Sequence, residues 1–507
     1  MKTGLIVSSV AFVLASTAAS AGNLPVKAPP PAPPRAANWS GCYVDAGVGY
    51  GMWTQDHSAI TDPGSATLTP TPTTGGEGWL GRVGGGCDYQ FALPKLGNFV
   101  VGAFADYDFA NLSGTFQESL VGTVGNEKET GAWSVGARAG YLVTPNLLAY
   151  LDAGYTQARF GQIGLFTDTI PSVATPFAIG ANTYNGWFLG SGAEYFLQRL
   201  PGLFWRSEYR YASYGSADIP IVFTPTGALT GVGMHTDKQV QTVTTGLVYK
   251  FNWAAIPGTG SVGGTSLAGG LPVKAPPRPA PPVSNWTGCY VGAGVGYGMW
   301  TQSHYGETDP GFIQETPSAT TGGNGWLGRA GGGCDYQVAV GNLGHFVVGV
   351  LGDYDLASVA GTFQDTLSGF LGTERESGAF AVGARAGYLA TPSLLTYVDG
   401  GFSQAHFQQI GLGTDTVPSV ATIFSVPANT YRGWFVGGGA EYALNMNWIP
   451  VHGLFWRTEY RYASYAAADV PIQPLAVTGS AENMQKNVET ATTSLIWRFN
   501  WPGGWHQ

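Results

Sequence analysis

The chain has 507 residues, of which 11% are charged, with 77 Gly, 25 Tyr, 25 Phe, 16 Trp and a formal net charge of −9. So low a charged fraction, against a usual ~25%, does not suit an ordinary soluble core, and an acidic balance offers no basic stripe for nucleic acid. After the N-terminus no run of about 18 apolar residues occurs, which excludes helical membrane spans.

In chain order, Lys2 precedes an apolar run over residues 5–15 and the small residues Ala19-Ser20-Ala21. This predicts a secretory signal peptide over residues 1–21. Residues 22–37 are Pro-rich and read as a periplasmic leader. From residue 38 to 253, period-2 alternation recurs in eight stretches, at about 41–53, 77–91, 98–110, 129–143, 147–160, 184–197, 203–214 and 239–253. Around residue 140, Trp133, Val135, Ala137, Ala139 and Tyr141 share one face, while Ser134, Gly136, Arg138 and Gly140 share the other. Alternation over ten or more residues predicts tilted membrane strands. Connections alternate between polar loops of roughly 20 residues and turns of a few residues, the outer-membrane barrel pattern.

Residues 254–284, rich in Pro, Gly, Ala and Ser, predict a periplasmic linker. The unit then repeats over residues 285–501: Cys42 recurs as Cys289, Trp79 as Trp326, Arg138 as Arg385 and Glu194 as Glu441, each offset by 247 positions. WRSEYRYASY from Trp205 recurs as WRTEYRYASY from Trp456. A short tail, 502–507, follows. The fold expected is all-β: two tandem eight-stranded transmembrane barrels. The alternative is one sixteen-stranded porin-like barrel. About 30 flexible residues span near 30 Å, enough to hold two small barrels apart, whereas merging the copies needs only a short turn.

The Gly-rich face of the strands carries Arg82, Asp88, Asp106, Asp108, Arg138, Asp152, Glu194, Arg206, Glu208, Arg210 and Lys250, with Arg329, Asp353, Asp355, Arg385, Asp399, Glu441, Arg457, Glu459 and Arg461 in the second copy. Charges facing lipid cost several kcal/mol at mid-depth, so this face is the lumen. Such a set either lines a pore or forms an ion-pair network filling a narrow barrel, and the pairing requirement for buried charge favours the network. Asp106 with Asp108, and Asp353 with Asp355, could in principle hold a cation, but neighbouring arginines make them salt-bridge partners. No metal or cofactor is expected; the glycines of GAGVGYG from Gly292 lie inside a strand, where a nucleotide loop cannot form. Cys42 and Cys87 share outward parity near one rim, and so do Cys289 and Cys334, which predicts these two disulfides. His57 and His304 fall just past the first strand of each copy, as loop histidines with no acid or serine to be placed beside them. No catalytic residue is expected.

Taken together, the leader LPVKAPPPAPP, the opening strands WSGCYVDAGVGYG and WTGCYVGAGVGYG, the ARAGYL and WRSEYRY strands and the ends YKFNW and WRFNW resemble the alphaproteobacterial outer-membrane immunogenic protein family. The resemblance implies an outer-membrane location, an eight-stranded barrel per unit and a role as a surface protein supporting envelope integrity. Expected partners are outer-membrane lipid and lipopolysaccharide, with periplasmic chaperones and the barrel assembly machinery during biogenesis. The alternative function, attached to the sixteen-stranded reading, is passive diffusion of small solutes.

Overall fold

The computed structural model describes residues 37–251 and 286–499, apart from 95, 119, 121, 198–199, 342–343 and 445–452. The expected signal peptide, linker and tail, and the leader except Ala37, lie outside the described residues.

The first copy forms β1 (Gly41–Thr61), β2 (Thr73–Leu93), β3 (Gly97–Glu118), β4 (Thr123–Thr144), β5 (Leu147–Phe160), β6 (Ile163–Thr167), β7 (Ala174–Ile179), β8 (Asn182–Phe196), β9 (Leu203–Tyr214), β10 (Ala217–Phe223) and β11 (Ala228–Phe251). The second forms β12 (Gly288–Thr308), β13 (Ala319–Val340), β14 (Gly344–Gln364), β15 (Leu371–Thr391), β16 (Leu394–Phe407), β17 (Ile410–Gly413), β18 (Ala421–Val426), β19 (Asn429–Ala443), β20 (Leu454–Tyr465), β21 (Ala468–Pro471) and β22 (Ser480–Phe499), with a single helical turn, α1 (Leu475–Thr478).

Antiparallel ladders run β1-β2-β3-β4-β5-β8-β9-β11, and β11 returns to β1 in unbroken register from Cys42 opposite Phe251 to Thr61 opposite Val232. In the second copy the cycle is β12-β13-β14-β15-β16-β19-β20-β22, closed by Cys289 opposite Phe499. Each copy is thus its own eight-stranded barrel. Closure leaves no strand edge in lipid, the condition for a sheet to cross a bilayer. Among the described residues β11 and β12 share no ladder, which is the pairing a sixteen-stranded barrel requires.

Alternation sorts the side chains as the sequence suggests. Val44, Val48, Leu151 and Leu247 point outward and are exposed, between one girdle containing Tyr89, Tyr141 and Tyr249 and another containing Trp79, Phe109, Trp133 and Trp187. Aromatic rings with a polar tip suit the two membrane–water boundaries, and the segment of each strand between girdles crosses the bilayer. The strands overrun the sequence estimate on the outer side: β1 continues to Thr61 and β2 begins at Thr73, while β3 and β4 extend until only a four-residue connection remains. Where long polar loops are expected, the chain pairs in hairpins that stand beyond the outer girdle. β6 and β7 form one such hairpin, extended by β10. Alternation lapses there because neither face meets lipid, so periodicity is blind to backbone pairing.

Candidate functional site: the lumenal charge network

In the first barrel, Arg82 on β2 grips the Asp108 carboxylate of β3 with two parallel bonds of 2.7 and 2.8 Å and reaches Glu208 of β9 at 2.7 Å. Arg210, two residues on from Glu208 and so on the same face, binds Asp106 at 2.9 Å and Glu208 at 2.8 Å, with Asp152 of β5 at 3.5 Å. A second node lies nearer the short turns. There Arg138 binds Asp88 and, at 3.0 Å, Glu194; Lys250 reaches the same two carboxylates at 2.6 and 3.0 Å. Arg206 joins Glu194 at 3.0 Å to Asp45 at 2.6 Å. Bidentate guanidinium–carboxylate bonds of this kind are the strong ones; Arg82–Asp108 ties neighbouring strands, and Arg210–Asp106 ties β9 to β3 on the opposite wall.

The second barrel repeats the design. Arg329 binds Asp355 and Glu459 at 2.7 Å each, and Arg461 binds Asp353 and Glu459 at 2.8 Å and Asp399 at 3.3 Å. Arg385 pairs with Asp335 and, at 3.1 Å, with Glu441, which Arg457 also contacts at 2.8 Å. Two details differ. Arg498 stands where the first copy has Lys250 and binds Asp335 and Glu441 at 2.7 Å. Gly292 stands where the first copy has Asp45, so Arg457 lacks the counterpart of that bond. The carboxylate pairs Asp106/Asp108 and Asp353/Asp355 are engaged by arginines, and no group of ligands able to hold a metal occurs among the described residues.

The network is held by aromatic rings and by glycine. The Arg138 guanidinium lies 4.7 Å from the Tyr43 ring centre and Arg210 lies 4.3 Å from that of Phe188. The Tyr150 hydroxyl donates to Glu208 at 2.7 Å. A Cβ at Gly190 would come within 2.3 Å of an Asp152 oxygen, so that position must stay bare for the carboxylate to reach inward.

Three features escape sequence reasoning. Trp39 precedes the first strand, is wholly buried, donates its indole N–H to the Pro145 carbonyl at 3.0 Å and packs on Phe204; Trp286 does the same against Pro392 and Phe455. These rings sit at the short-turn ends of the barrels. Beyond the outer girdle, Lys238 binds Gln55 and Glu127 beneath the rings of Phe160 and Tyr184, and Lys486 does likewise with Gln302 and Glu374. The third feature corrects an expectation. His57 and His304 are not solvated loop residues but buried members of β1 and β12. The His57 Nε2 lies 3.0 Å from the Gln117 carbonyl oxygen. His304 does have an acid and a hydroxyl beside it: Glu482 at 3.1 Å and Thr321 at 2.9 Å. Glu482 comes from the last strand of the copy and Thr321 from across the β12–β13 hairpin, which is why spacing could not place them.

The cysteines pair as parity suggests, Cys42 with Cys87 and Cys289 with Cys334, each opposite its partner across the first two strands of its copy.

Residues 8–251 match the family described as outer membrane protein beta-barrel domain. The 31 kDa outer-membrane immunogenic protein of Brucella melitensis is 27% identical over 245 residues, 46% of this chain and 94% of that protein, and the Brucella suis protein of the same name matches equally. Nearly the whole relative therefore corresponds to less than half of this chain, the extent of one copy. Among solved structures, Ail, the attachment invasion locus protein of Yersinia pestis, is 13% identical and covers 42% of this chain and 99% of its own, with a TM-score of 0.20. The P. putida toluene transporter TodX is 10% identical and covers 91% of both chains, with a TM-score of 0.25.

Proposed function

We propose that this chain, an outer-membrane β-barrel protein carrying the outer membrane protein beta-barrel domain, is a structural surface protein that supports envelope integrity through two closed, non-conducting barrels. The filled lumen carries this reading. In each barrel the arginines and carboxylates cross-brace strands that are not neighbours, and a buried tryptophan stops one mouth. Removing a partner from such a buried set is costly, so the set holds the barrel in one shape and leaves no continuous water path for a solute. The outward apolar band is proposed to meet lipid acyl chains and the outer hairpins to meet lipopolysaccharide. Insertion is proposed to proceed with periplasmic chaperones and the barrel assembly machinery.

The test is electrical. Purified full-length chain, checked for folding by its heat-modifiable gel mobility, is placed in planar bilayers. Little or no steady conductance is expected. Large, stable, ohmic conductance from folded protein would overturn the reading and make the chain a porin.

A further inference from the structure

We infer that the two barrels dock on each other through one self-complementary face, built on the outer ends of β1–β3 and β12–β14 with β9, β20 and β22 beside them, so that the chain is a tethered barrel dimer whose docking surface is consumed within it. This goes beyond the structural role proposed above and does not depend on it. The sign is reciprocity. Contacts of several kinds from the first copy to the second recur the other way between equivalent residues.

Thr74 pairs with its own equivalent, Thr321, in an antiparallel bridge. The backbone N–H of Thr115 donates to the Thr320 hydroxyl at 3.1 Å, and that of Thr362, the equivalent of Thr115, donates to the hydroxyl of Thr73, the equivalent of Thr320, at 3.0 Å. Tyr50 meets Tyr462 edge-on with ring centres 5.5 Å apart; Tyr211 meets Tyr297 at 5.4 Å, the same pair exchanged. A side chain at Gly75 would strike the Gly322 Cα at 3.0 Å, and one at Gly322 would strike the Gly75 Cα at the same distance. Residue i touching j while j touches i is the mark of an isologous two-fold interface, which closes at two members and does not propagate.

The face sits just past the outer girdle, where hydroxyl and amide contacts are not swamped by lipid, and its threonines 54 and 301 are buried although their positions point away from the lumens, while Thr74 and Thr321 take the lumenal parity, with Thr321 on His304. At one place the copies have diverged. Glu77 accepts from Asn487 at 2.6 Å and Thr301 at 3.3 Å, whereas its equivalent, Asn324, donates to Thr54 at 2.9 Å. Duplication within one chain permits that asymmetry; a dimer of identical barrels would set two Glu77 carboxylates on the same face.

The test uses the full-length chain in outer membranes carrying Thr74→Cys with Thr321→Cys, oxidised and digested without reductant. Paired strand positions allow disulfide formation. The expected product is a peptide linking 74 to 321 in a species of single-chain mass. Leu151→Cys with Val398→Cys, outward positions on β5 and β16, should give no link within the chain. Adding Gly75→Leu should slow the 74–321 link roughly tenfold or more, because overpacking at this contact forces the backbones apart. If the 74/321 variant does not assemble, Thr54→Cys with Asn324→Cys reads the same face. Links between separate chains, equal linkage at the control pair, or no link in heat-modifiable protein would overturn the inference.

Discussion

Arg206 and its equivalent Arg457 show how much a single bond in the network contributes. Arg206 holds both Glu194 and Asp45, yet Arg457 manages with Glu441 alone because Gly292 replaces the aspartate. Asp45→Gly should therefore cost under ~1 kcal/mol, the range of a partly redundant ion pair. Arg138→Leu strips the bidentate partner of Asp88 and a partner of Glu194 at a fully buried site and should cost about 3 kcal/mol. Urea unfolding of the two variants in detergent would separate these values, and equal losses would contradict the hierarchy. One carboxyl pair that responds to pH has no counterpart in the first copy. Burial, with Glu482 alongside, pushes the Asp365 carboxyl up to about 7, and burial does the same to Glu482. The first copy has Glu118 and Met234 at these places. A carboxyl whose folded value is raised binds its proton more tightly when folded, so its contribution is present at acidic pH and is lost as pH climbs toward 7. Thermal midpoints measured from pH 5 to 8 should fall more steeply for the native chain than for Asp365→Asn; parallel curves would remove the assignment. The arginines and carboxylates were legible in the sequence because each sits in a clean period-2 stretch. Trp39 was not, since it precedes the alternating pattern, and the acid beside His304, Glu482, comes from the last strand of its copy.

At the level of strands, the inner two-thirds of each barrel could be read because one face meets lipid and the other a charged lumen. The outer ends could not. In β3 and β4, Thr115 to Thr130 alternate no apolar residues, yet they pair from Leu112 opposite Glu129 to Glu118 opposite Thr123. The backbone ladder that zips this hairpin leaves no trace in side-chain polarity. The disulfides belong to this scale as well. Cys42 and Cys87 enclose a separation of 45 residues, for which loop-closure entropy suggests ~3–4 kcal/mol. β1 is also laddered along its length to β2 and β11, so Cys42→Ser with Cys87→Ser should still assemble while melting at a lower temperature. Failure of that variant to reach the membrane would mean the bond guides assembly instead of reinforcing the finished wall.

For the molecule as a whole, the repeat and the long tether pointed to two barrels over one, and the strand pairing gives each copy its own closure. What the sequence did not disclose is how the copies meet, because the docking residues are threonines, glycines and tyrosines that look like any other rim. Equivalent positions separated by a whole repeat carry no local signature of contact. Only their reciprocity in space does.

The seam between β1 and β11 has a consequence in time. It joins the beginning of a copy to its end, Cys42 to Phe251, and uses nothing from beyond. The first barrel can therefore seal as soon as its own last strand is delivered, while the second copy is still an open chain, and the second seals later on Phe499. Contacts this distant in sequence form slowly, and unsealed edges are what aggregate. Splitting sixteen strands into two independent seams halves the length of chain that must stay unsealed at any moment.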